Sequence, residues 1–261
     1  MDIESDIDVV CKLAERAGKA IMRVYESDFD VISKRDASPL TQADMQADKI
    51  IREGLSTHDS RIPMISEETA LPSFEERQQW HKYWLIDPLD GTKEFVNRNG
   101  EFTVNIALIE AGFPVIGVVH VPVTGITYWG GIAYGAFRAH PGSEHHPIRV
   151  SDGVSSPRVV TSRSHGTPKT EAWLERLGDY SVTRTGSSLK FCAVAEAQAD
   201  VYPRFGPTSE WDTAAAQAVV EGAGGQVTTW DGHRLAYNTK PDMLNPDFVV
   251  SGGVHTRWLD I

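Results

Sequence analysis

The stretch WLIDPLDGT, residues 84–92, places two aspartates three residues apart at the end of an apolar run. We expect the run to be a strand and Pro88 with Gly91 to bend the chain into a tight turn, so that Asp87 and Asp90 face one point. Two anions held this close repel each other, and a divalent cation offsets that repulsion. The stretch therefore predicts a metal site. The alternative is an ordinary surface turn, because Asp-Gly is a common turn dipeptide.

A short helix is predicted directly after this turn, opened by Gly91 and Thr92 and continued by residues 93–95. The first N–H groups of a helix have no partner within it, so they can hold a phosphate oxygen beside the metal. We therefore expect phosphate chemistry at this point of the chain.

Length and composition predict a soluble globular protein, because 261 residues with 41% hydrophobic residues can form one large or two closely packed domains. The net charge of −11 argues against a long nucleic acid as partner. The acidic start MDIESDID and the lack of about 18 consecutive apolar residues predict neither export nor a membrane span. Cys11 and Cys192 are interpreted as buried free thiols and only weakly as a disulfide, so we expect a cytoplasmic protein.

Two helices are predicted at the start of the chain. Apolar residues recur at steps of three and four from residue 7 to residue 24, which predicts a helix capped by Ser5 or Asp6. The sequence TQAD at residues 41–44 is interpreted as a capping box that opens a second helix through Leu55. Asp44 would then be the acidic member of that box.

Strands are predicted next, and the rhythm of the chain then changes. Residues 61–67 form a short apolar strand that ends in carboxylates, and residues 102–138 contain β-rich segments between Gly and Pro turns, which predicts an antiparallel meander. The polar stretch 140–157 is the expected boundary between an N-terminal α+β half, residues 1–150, and a C-terminal α/β half, residues 151–261.

The second half is predicted to alternate strands with helices. We expect strands at residues 159–161 and 181–184 and helices at residues 169–177, 188–197 and 210–222. The GAGG sequence after the last helix is interpreted as its C-cap rather than as a phosphate loop. The fold class is therefore expected to be α/β (α+β).

Further acids stand at the ends of these predicted elements: Asp44, Glu67, Glu68 and Asp212. Each has a local explanation, as a member of a capping box, a solvated strand end or an acid in the first turn of a helix. A hard cation, however, requires oxygen ligands from several segments. We therefore expect these acids to converge with Asp87 and Asp90.

The chain resembles the inositol monophosphatase superfamily, whose sequence motifs are matched in order by residues 66–68, 87–92 and 211–214. Within it the chain is most similar to the CysQ-type 3′(2′),5′-bisphosphate nucleotidases. That similarity rests on SPLTQAD (38–44), TSRSH (161–165), GSSLKFC (186–192) and YPRFGPTSEWDTAA (202–215). The resemblance implies a layered αβαβα sandwich. Ala216 stands where the family pattern leads us to expect glycine, which puts helix packing at the site in question.

The resemblance also implies a phosphatase that uses two or three Mg²⁺ ions and no covalent intermediate. The implied metal ligands are Glu67, Asp87, Asp90, Asp212 and the backbone carbonyl of Leu89. Asp44 and the Thr92 hydroxyl, with Glu67, would orient a water molecule for in-line attack on phosphorus.

The implied reaction removes the 3′-phosphate from 3′-phosphoadenosine 5′-phosphate, a by-product of sulfur assimilation, and lithium is expected to inhibit it. The implied substrate contacts are Glu67, Leu89, Asp90, Gly91, Thr92, Ser162, Arg163, His165, Gly186, Ser187, Lys190, Arg204 and Asp212. Residues 162–165 remain open to interpretation as an ordinary polar loop, and Lys190 as a solvated helix residue. His120, His140, His145 and His146 lack the spacing of a zinc site. A monomer or homodimer is expected, and peripheral contact with the cytoplasmic face of the inner membrane is left open.

Three other functions compete with this hypothesis. A haloacid-dehalogenase phosphatase would carry D-x-D-x-T, whereas Pro88 and Leu89 put one residue too many between the two acids. An inositol-1-monophosphatase would share the metal ligands but not the strings that face the nucleotide. A non-catalytic sensor would be expected to have lost some of the acids, and every expected ligand is present.

Overall fold

The computed structural model of the protein describes residues 3–27, 39–153, 155–164, 166–253, 256–259 and 261. The helices are α1 (Ile3–Tyr25), α2 (Pro39–His58), α3 (Phe74–Arg77), α4 (Thr92–Val96), α5 (Pro168–Leu177), α6 (Leu189–Ala195), α7 (Ala214–Gly222) and α8 (Thr256–Leu259). The strands of the first half are β1 (Met64–Ser66), β2 (Lys82–Asp90), β3 (Thr103–Glu110), β4 (Phe113–Val121), β5 (Ile126–Gly131), β6 (Gly135–Ala139) and β7 (His146–Ile148). Those of the second half are β8 (Arg158–Ser162), β9 (Ser181–Thr185), β10 (Val201–Arg204), β11 (Gln226–Thr229) and β12 (Phe248–Ser251).

The first sheet has seven strands in chain order, β1 to β7. β1 runs parallel to β2, and each later strand is antiparallel to the one before it, which confirms the predicted meander. Strand β7 lies in the polar stretch that was interpreted as a boundary. It is a three-residue edge strand in which His146 and Pro147 are exposed and only Ile148 is half-buried, so it carries no apolar alternation that a sequence pattern could detect.

The second sheet has five strands in the order β11-β12-β10-β8-β9. β8 pairs in parallel with β9 and β10, whereas β12 is antiparallel to both β10 and β11. Helix α5 connects β8 to β9, and α6 connects β9 to β10, so the predicted alternation of strands and helices is confirmed here.

Strand β2 explains the layering, because successive side chains of a strand point to opposite faces of its sheet. Tyr83 and Leu85 belong to the core cluster that also contains residues of α6 and α7. Trp84 and Ile86 belong to the cluster formed with α1 and α2. The run is continuously apolar because both faces of the sheet are covered.

A third cluster lies on the far side of the second sheet, where Trp173 of α5 and Trp258 of α8 pack with residues of β8, β10 and β12. The order of layers is therefore α1 and α2, first sheet, α6 and α7, second sheet, α5 and α8. This confirms the layered αβαβα fold. The division into residues 1–150 and 151–261 stays a prediction, and the middle core cluster contains residues from both parts.

The predicted helix starts were wrong at three places. α1 is already helical at Ile3, so neither Ser5 nor Asp6 caps it; the Asp6 carboxylate is instead buried, 2.6 Å from Nε2 of His58 on α2. α2 begins at Pro39, whose fixed φ suits the first turn of a helix, so TQAD is not a capping box. α7 begins at Ala214, which leaves Asp212 outside it. The C-cap at GAGG is confirmed, since α7 ends at Gly222 and Gly224 has a φ of 91°.

Cys11 and Cys192 are both free thiols; Cys192 is buried and Cys11 only partly so. Within the described residues, none of the helices combines the length and the apolar content needed to cross a lipid bilayer.

Candidate metal centre

The two aspartates of the opening motif lie on a bulge within β2 rather than on a turn after it. Asp87 pairs with Asn105 of β3 and Asp90 with Thr103, so three steps along β2 face two along β3. The extra residue disrupts the ladder locally, and such bulges re-aim side chains. The backbone N–H of Leu89 donates to Asp87 Oδ1 at 3.0 Å, which fixes the bulge.

Gly91 then reverses the chain with a φ of 95°, a conformation in which other residues are strained. A Cβ at this position would lie 3.1 Å from the carbonyl oxygen of Glu101. Helix α4 follows at Thr92, as the sequence predicted.

Asp212 joins the pair from the other half of the chain. One carboxylate oxygen from each of Asp87, Asp90 and Asp212 lies within 4.8 Å of the others. Asp212 is carried by a turn before α7, in which its Oδ2 accepts a hydrogen bond from the Ser209 N–H at 3.0 Å. Glu67, directly after β1, lines the same cavity. The structure therefore brings together four of the six acids that the sequence singled out, whereas Asp44 and Glu68 do not line the cavity.

Burial raises the pKa of all four acids, and repulsion from neighbouring carboxylates adds to it for Glu67, Asp87 and Asp212. Burial is the larger cause for Asp87, whose pKa lies well above its ordinary value, and the charges of Asp90 and Glu67 add to it. Burial and the charge of Asp90 raise the pKa of Asp212 to about 8. The pKa of Glu67 is raised mainly by burial, although its hydrogen bond with Asp87 opposes this. The cluster is thus short of positive charge, which is what a bound cation provides.

The acids line a cavity of about 350 Å³. Of the predicted site residues, those on its wall are Glu67, Asp87, Leu89, Asp90, Gly91, Thr92, Ser162, Gly186, Ser187, Lys190, Arg204 and Asp212. The sequence did not single out the other lining residues, which are Lys93, Glu94, Phe191, Tyr202, Pro207, Thr208 and Ser209. Asp44 and Arg163 do not line the cavity, and His165 lies outside the described residues.

Asp44 lies behind this wall, buried on α2. Burial, followed by the charges of Glu68 and Glu67, raises its pKa to about 8. Asp48 lies one turn further along α2 and is compensated by hydrogen bonds. Ser66 Oγ donates to its carboxylate at 2.6 Å and Arg52 Nε donates at 2.7 Å. Asp44 is therefore the acid of this pair that is close to the site and poorly compensated.

Lys190 is a buried cation at the cavity wall rather than a solvated helix residue, since only 7% of it is exposed. Its ammonium group donates to the Ser187 carbonyl and lies 5.4 Å from the centre of the Tyr202 ring. Burial lowers its pKa to about 8 against the attraction of Asp90. Arg204 lies on the same wall, held by Thr208 Oγ1 at 2.6 Å and the Pro207 carbonyl at 2.8 Å.

Arg163 has other partners. Its guanidinium donates to both carboxylate oxygens of Glu101, at 2.8 and 2.6 Å, and to the Arg184 carbonyl at 2.9 Å. Glu101 in turn accepts the backbone N–H of Gly186 at 2.8 Å. The expectation that Arg163 faces the substrate is not met by this geometry, because the strong bidentate pair holds the guanidinium outside the cavity.

Two supporting residues were missed by the sequence analysis. Ser188 Oγ lies 3.0 Å from Asp90 Oδ2 and 2.7 Å from the Asp212 carbonyl oxygen. Asn105 donates to Ser188 Oγ at 2.9 Å. The pairing of Asn105 with Asp87 follows from strand register, which a sequence does not display. Ala216, the departure from the family pattern, is buried in the middle core cluster and does not line the cavity.

Comparison with known proteins shows a family match. Residues 2–258 match the inositol monophosphatase family. The chain is 50% identical over 247 residues to the 3′(2′),5′-bisphosphate nucleotidase CysQ of Escherichia coli strain K12, covering 94% of this chain and 99% of that protein.

Solved structures agree in fold. The crystal structure of CysQ from Bacteroides thetaiotaomicron, described as a bacterial member of the inositol monophosphatase family, is 40% identical and superposes with a TM-score of 0.87, covering 95% of this chain and 97% of that one. An inositol monophosphatase from Zymomonas mobilis, 21% identical, shares the fold with a TM-score of 0.83 over 100% of this chain and 98% of that one.

Proposed function

This chain belongs to the inositol monophosphatase family, and from that premise we propose that it is a magnesium-dependent 3′(2′),5′-bisphosphate nucleotidase. It would remove the 3′-phosphate of 3′-phosphoadenosine 5′-phosphate and release AMP and phosphate. One observation carries the assignment, namely the identity to the Escherichia coli nucleotidase, which is sustained along nearly the whole of both chains. It favours this substrate over inositol 1-phosphate. Family membership also argues against the haloacid-dehalogenase alternative.

The residues of the cavity fit a hard divalent cation. Such ions bind carboxylate and carbonyl oxygens supplied by several segments. Here those oxygens come from the end of β1, the bulge of β2 and the turn before α7, and their raised pKa values reflect a crowding of negative charge that a cation would offset. We propose two or three Mg²⁺ ions, held by Glu67, Asp87, Asp90, Asp212 and the Leu89 carbonyl.

The chemistry then follows from charge and position. Bound divalent ions would neutralise the phosphate and make a water molecule acidic enough to attack phosphorus in line. The Thr92 hydroxyl, which lines the cavity, would orient that water, and the Asp44 carboxylate would be the final acceptor of its proton. Bound cations would offset the charge of Glu67, one of the causes that raise the pKa of Asp44 to about 8, and so favour the ionised form of Asp44 that can accept a proton.

The remainder of the wall would bind the rest of the nucleotide. Lys190 and Arg204 are cations on the same side of the cavity, suited to a second phosphate. Ser187 Oγ is buried and has no hydrogen-bond partner among the described residues, so it has a donor to offer a ligand. Gly186 lets this loop approach α4, because a Cβ there would lie 2.5 Å from Cγ of Glu94.

A phosphate-release assay tests the proposal. Protein stripped with EDTA is supplied with 3′-phosphoadenosine 5′-phosphate, inositol 1-phosphate or AMP, each with and without MgCl₂. We expect turnover only with Mg²⁺, fastest on the nucleotide bisphosphate, and inhibited by LiCl. Faster cleavage of inositol 1-phosphate would reject the nucleotidase, and full turnover in EDTA would reject the metal.

We also propose a cytoplasmic location, supported by the two free thiols. Peripheral contact with the inner membrane has no described surface in its favour. Sedimentation of the purified protein would decide between monomer and homodimer.

A further inference from the structure

The segment between β10 and α7, residues 205–213, forms a large part of the cavity wall and is irregular in conformation. It contributes Pro207, Thr208, Ser209 and Asp212 to the wall. No helix or strand fixes its shape. Hydrogen bonds within the turn, such as that from the Asp212 N–H to the Ser209 carbonyl at 3.2 Å, and contacts from elsewhere therefore hold Asp212 beside Asp87 and Asp90.

A second segment, residues 238–247, lies behind it. The Glu210 N–H donates to the Met243 carbonyl at 2.7 Å, and the Asn245 N–H donates to the Thr208 carbonyl at 2.8 Å. The Asn238 N–H donates to Glu210 Oε2 at 2.8 Å. The turn that carries Asp212 is thus supported from behind by two backbone hydrogen bonds and by one bond from a backbone N–H to the Glu210 carboxylate.

The side chain of Asn245 is the contact that spans this turn. It is 8% exposed, and its Nδ2 donates to the Ser209 carbonyl at 2.9 Å and to Thr213 Oγ1 at 3.0 Å. One amide group therefore holds both ends of the turn. The peptide N–H of Ser209 is bonded to the Asp212 carboxylate itself. A shift of Ser209 would consequently move the carboxylate.

We propose that Asn245 is a positioning residue, which holds the turn of residues 209–213 so that Asp212 faces the other two aspartates. The inference rests on the proposed role of Asp212 as a metal ligand. Asn245 does not line the cavity, so it acts only through the turn. Its loss should weaken metal binding more than it disturbs the remainder of the fold.

The test compares Asn245→Ala with Leu174→Ala, a buried residue of α5 that does not line the cavity. Mg²⁺ affinity of the metal-free proteins is measured by tryptophan fluorescence and by the rise in melting temperature with MgCl₂. Both variants should melt earlier than the natural protein. Only Asn245→Ala should lose Mg²⁺ affinity, by about 10-fold or more, as is typical when a group that orients a ligand is removed.

Two outcomes would overturn the proposal: unchanged Mg²⁺ affinity in Asn245→Ala, or an equal loss in Leu174→Ala. Asp212→Asn separates this failure from failure of the proposed function. If Asp212→Asn keeps its affinity, the ligand assignment is wrong; if it loses affinity and Asn245→Ala does not, only the positioning role is wrong. Should Asn245→Ala not fold, Thr213→Val removes one acceptor of the amide, and about 3-fold weaker Mg²⁺ binding is expected, whereas no change would refute the role.

Discussion

The two ends of β10 bury carboxylates with opposite consequences. At its start, Asp200 is 1% exposed and accepts three hydrogen bonds from Arg158: the backbone N–H at 2.8 Å, Nε at 3.0 Å and Nη2 at 2.8 Å. Burial raises the pKa of Asp200, but the bonds from Arg158, a bond from Ser151 and the charge of Arg158 together outweigh it and hold the pKa below its usual range. At this end of the strand the buried carboxylate is therefore neutralised by a cation of the protein itself.

At the other end, beyond Arg204, the burial of the carboxylates is only partly compensated. The charge of Asp90 raises the pKa of both Asp87 and Asp212, whereas Lys190, Ser188 and Asn105 lower the pKa of Asp90 without outweighing its burial. Burial of an acid therefore does not by itself indicate function. A buried acid with its own cation belongs to the scaffold, whereas a buried cluster without enough cations indicates a ligand that brings charge.

The largest effect should come from Asp90→Asn, which removes one charge from the cluster. Phosphate release at saturating Mg²⁺ should fall by at least about 1000-fold, equivalent to about 4 kcal/mol of transition-state stabilisation. Stability without metal should rise, by about 1 to 2 kcal/mol, because like charges no longer face each other. Steady-state kinetics and urea unfolding in EDTA measure the two effects.

The amide introduced by Asp90→Asn would retain an oxygen that can accept from Ser188, so the fold is expected to survive, and circular dichroism serves as the control. An active variant would contradict the metal role of Asp90. A variant that is inactive and also less stable in EDTA would contradict the comparison, since it would place Asp90 in the scaffold.

Asp200→Asn should have the opposite effects to Asp90→Asn: the protein should be less stable and its turnover should be retained. Loss of the buried pair should cost about 2 kcal/mol at pH 7, below the range for a fully buried pair, because 38% of the Arg158 side chain is exposed. The lowered pKa of Asp200 means that this stability is present above its unfolded value and is lost as pH falls through the folded one. The two proteins should therefore converge in stability below about pH 4.

Urea unfolding at pH 7 and at acid pH measures this convergence, and kcat per folded molecule is the control. A constant difference in stability at every pH would show that the effect of Asp200 is packing rather than charge. If Asp200→Asn loses as much kcat as Asp90→Asn, the proposed distinction between the two ends of β10 is wrong.

The layered fold could be predicted because apolar patterning is a local property. Strand β2 is apolar on both faces, and α1 repeats its apolar residues at helical spacing. Helix starts were less predictable, because a capping string such as TQAD works only if the preceding residue is not already helical, and Pro39 begins α2 earlier.

The acids of the site were predictable for a related reason. Charged residues at the ends of strands and turns stand out in a sequence, and the structure places Glu67, Asp87, Asp90 and Asp212 at one cavity. The uncharged residues that hydrogen-bond to these acids did not stand out. Asn105 and Ser188 are 83 residues apart, and a serine or asparagine carries no signal until the fold brings it to a carboxylate. The position of Arg163 could not be predicted either. Its charge stands out in the sequence, but the sequence does not show that Glu101 pairs with the guanidinium.

The smallest effect in this series is expected for Ser188→Ala. Ser188 occupies the N-cap position of α6, yet its hydroxyl makes no capping bond and lies instead between Asp90 and the Asp212 carbonyl. Its loss should reduce turnover about 10-fold through poorer orientation of the ligands and lower stability by about 1 kcal/mol. Ser73→Ala is the matched control, since Ser73 does cap α3, accepting the Glu76 N–H at 3.2 Å.

The control should lose about 1 kcal/mol of stability and no activity. If excess Mg²⁺ restores the turnover of Ser188→Ala, the hydroxyl acts on metal affinity; if it does not, the hydroxyl acts on the orientation of Asp90 in the loaded site. If Ser188→Ala and Ser73→Ala both keep an unimpaired kcat, the hydrogen bonds of Ser188 stabilise only the fold, as those of Asp200 do.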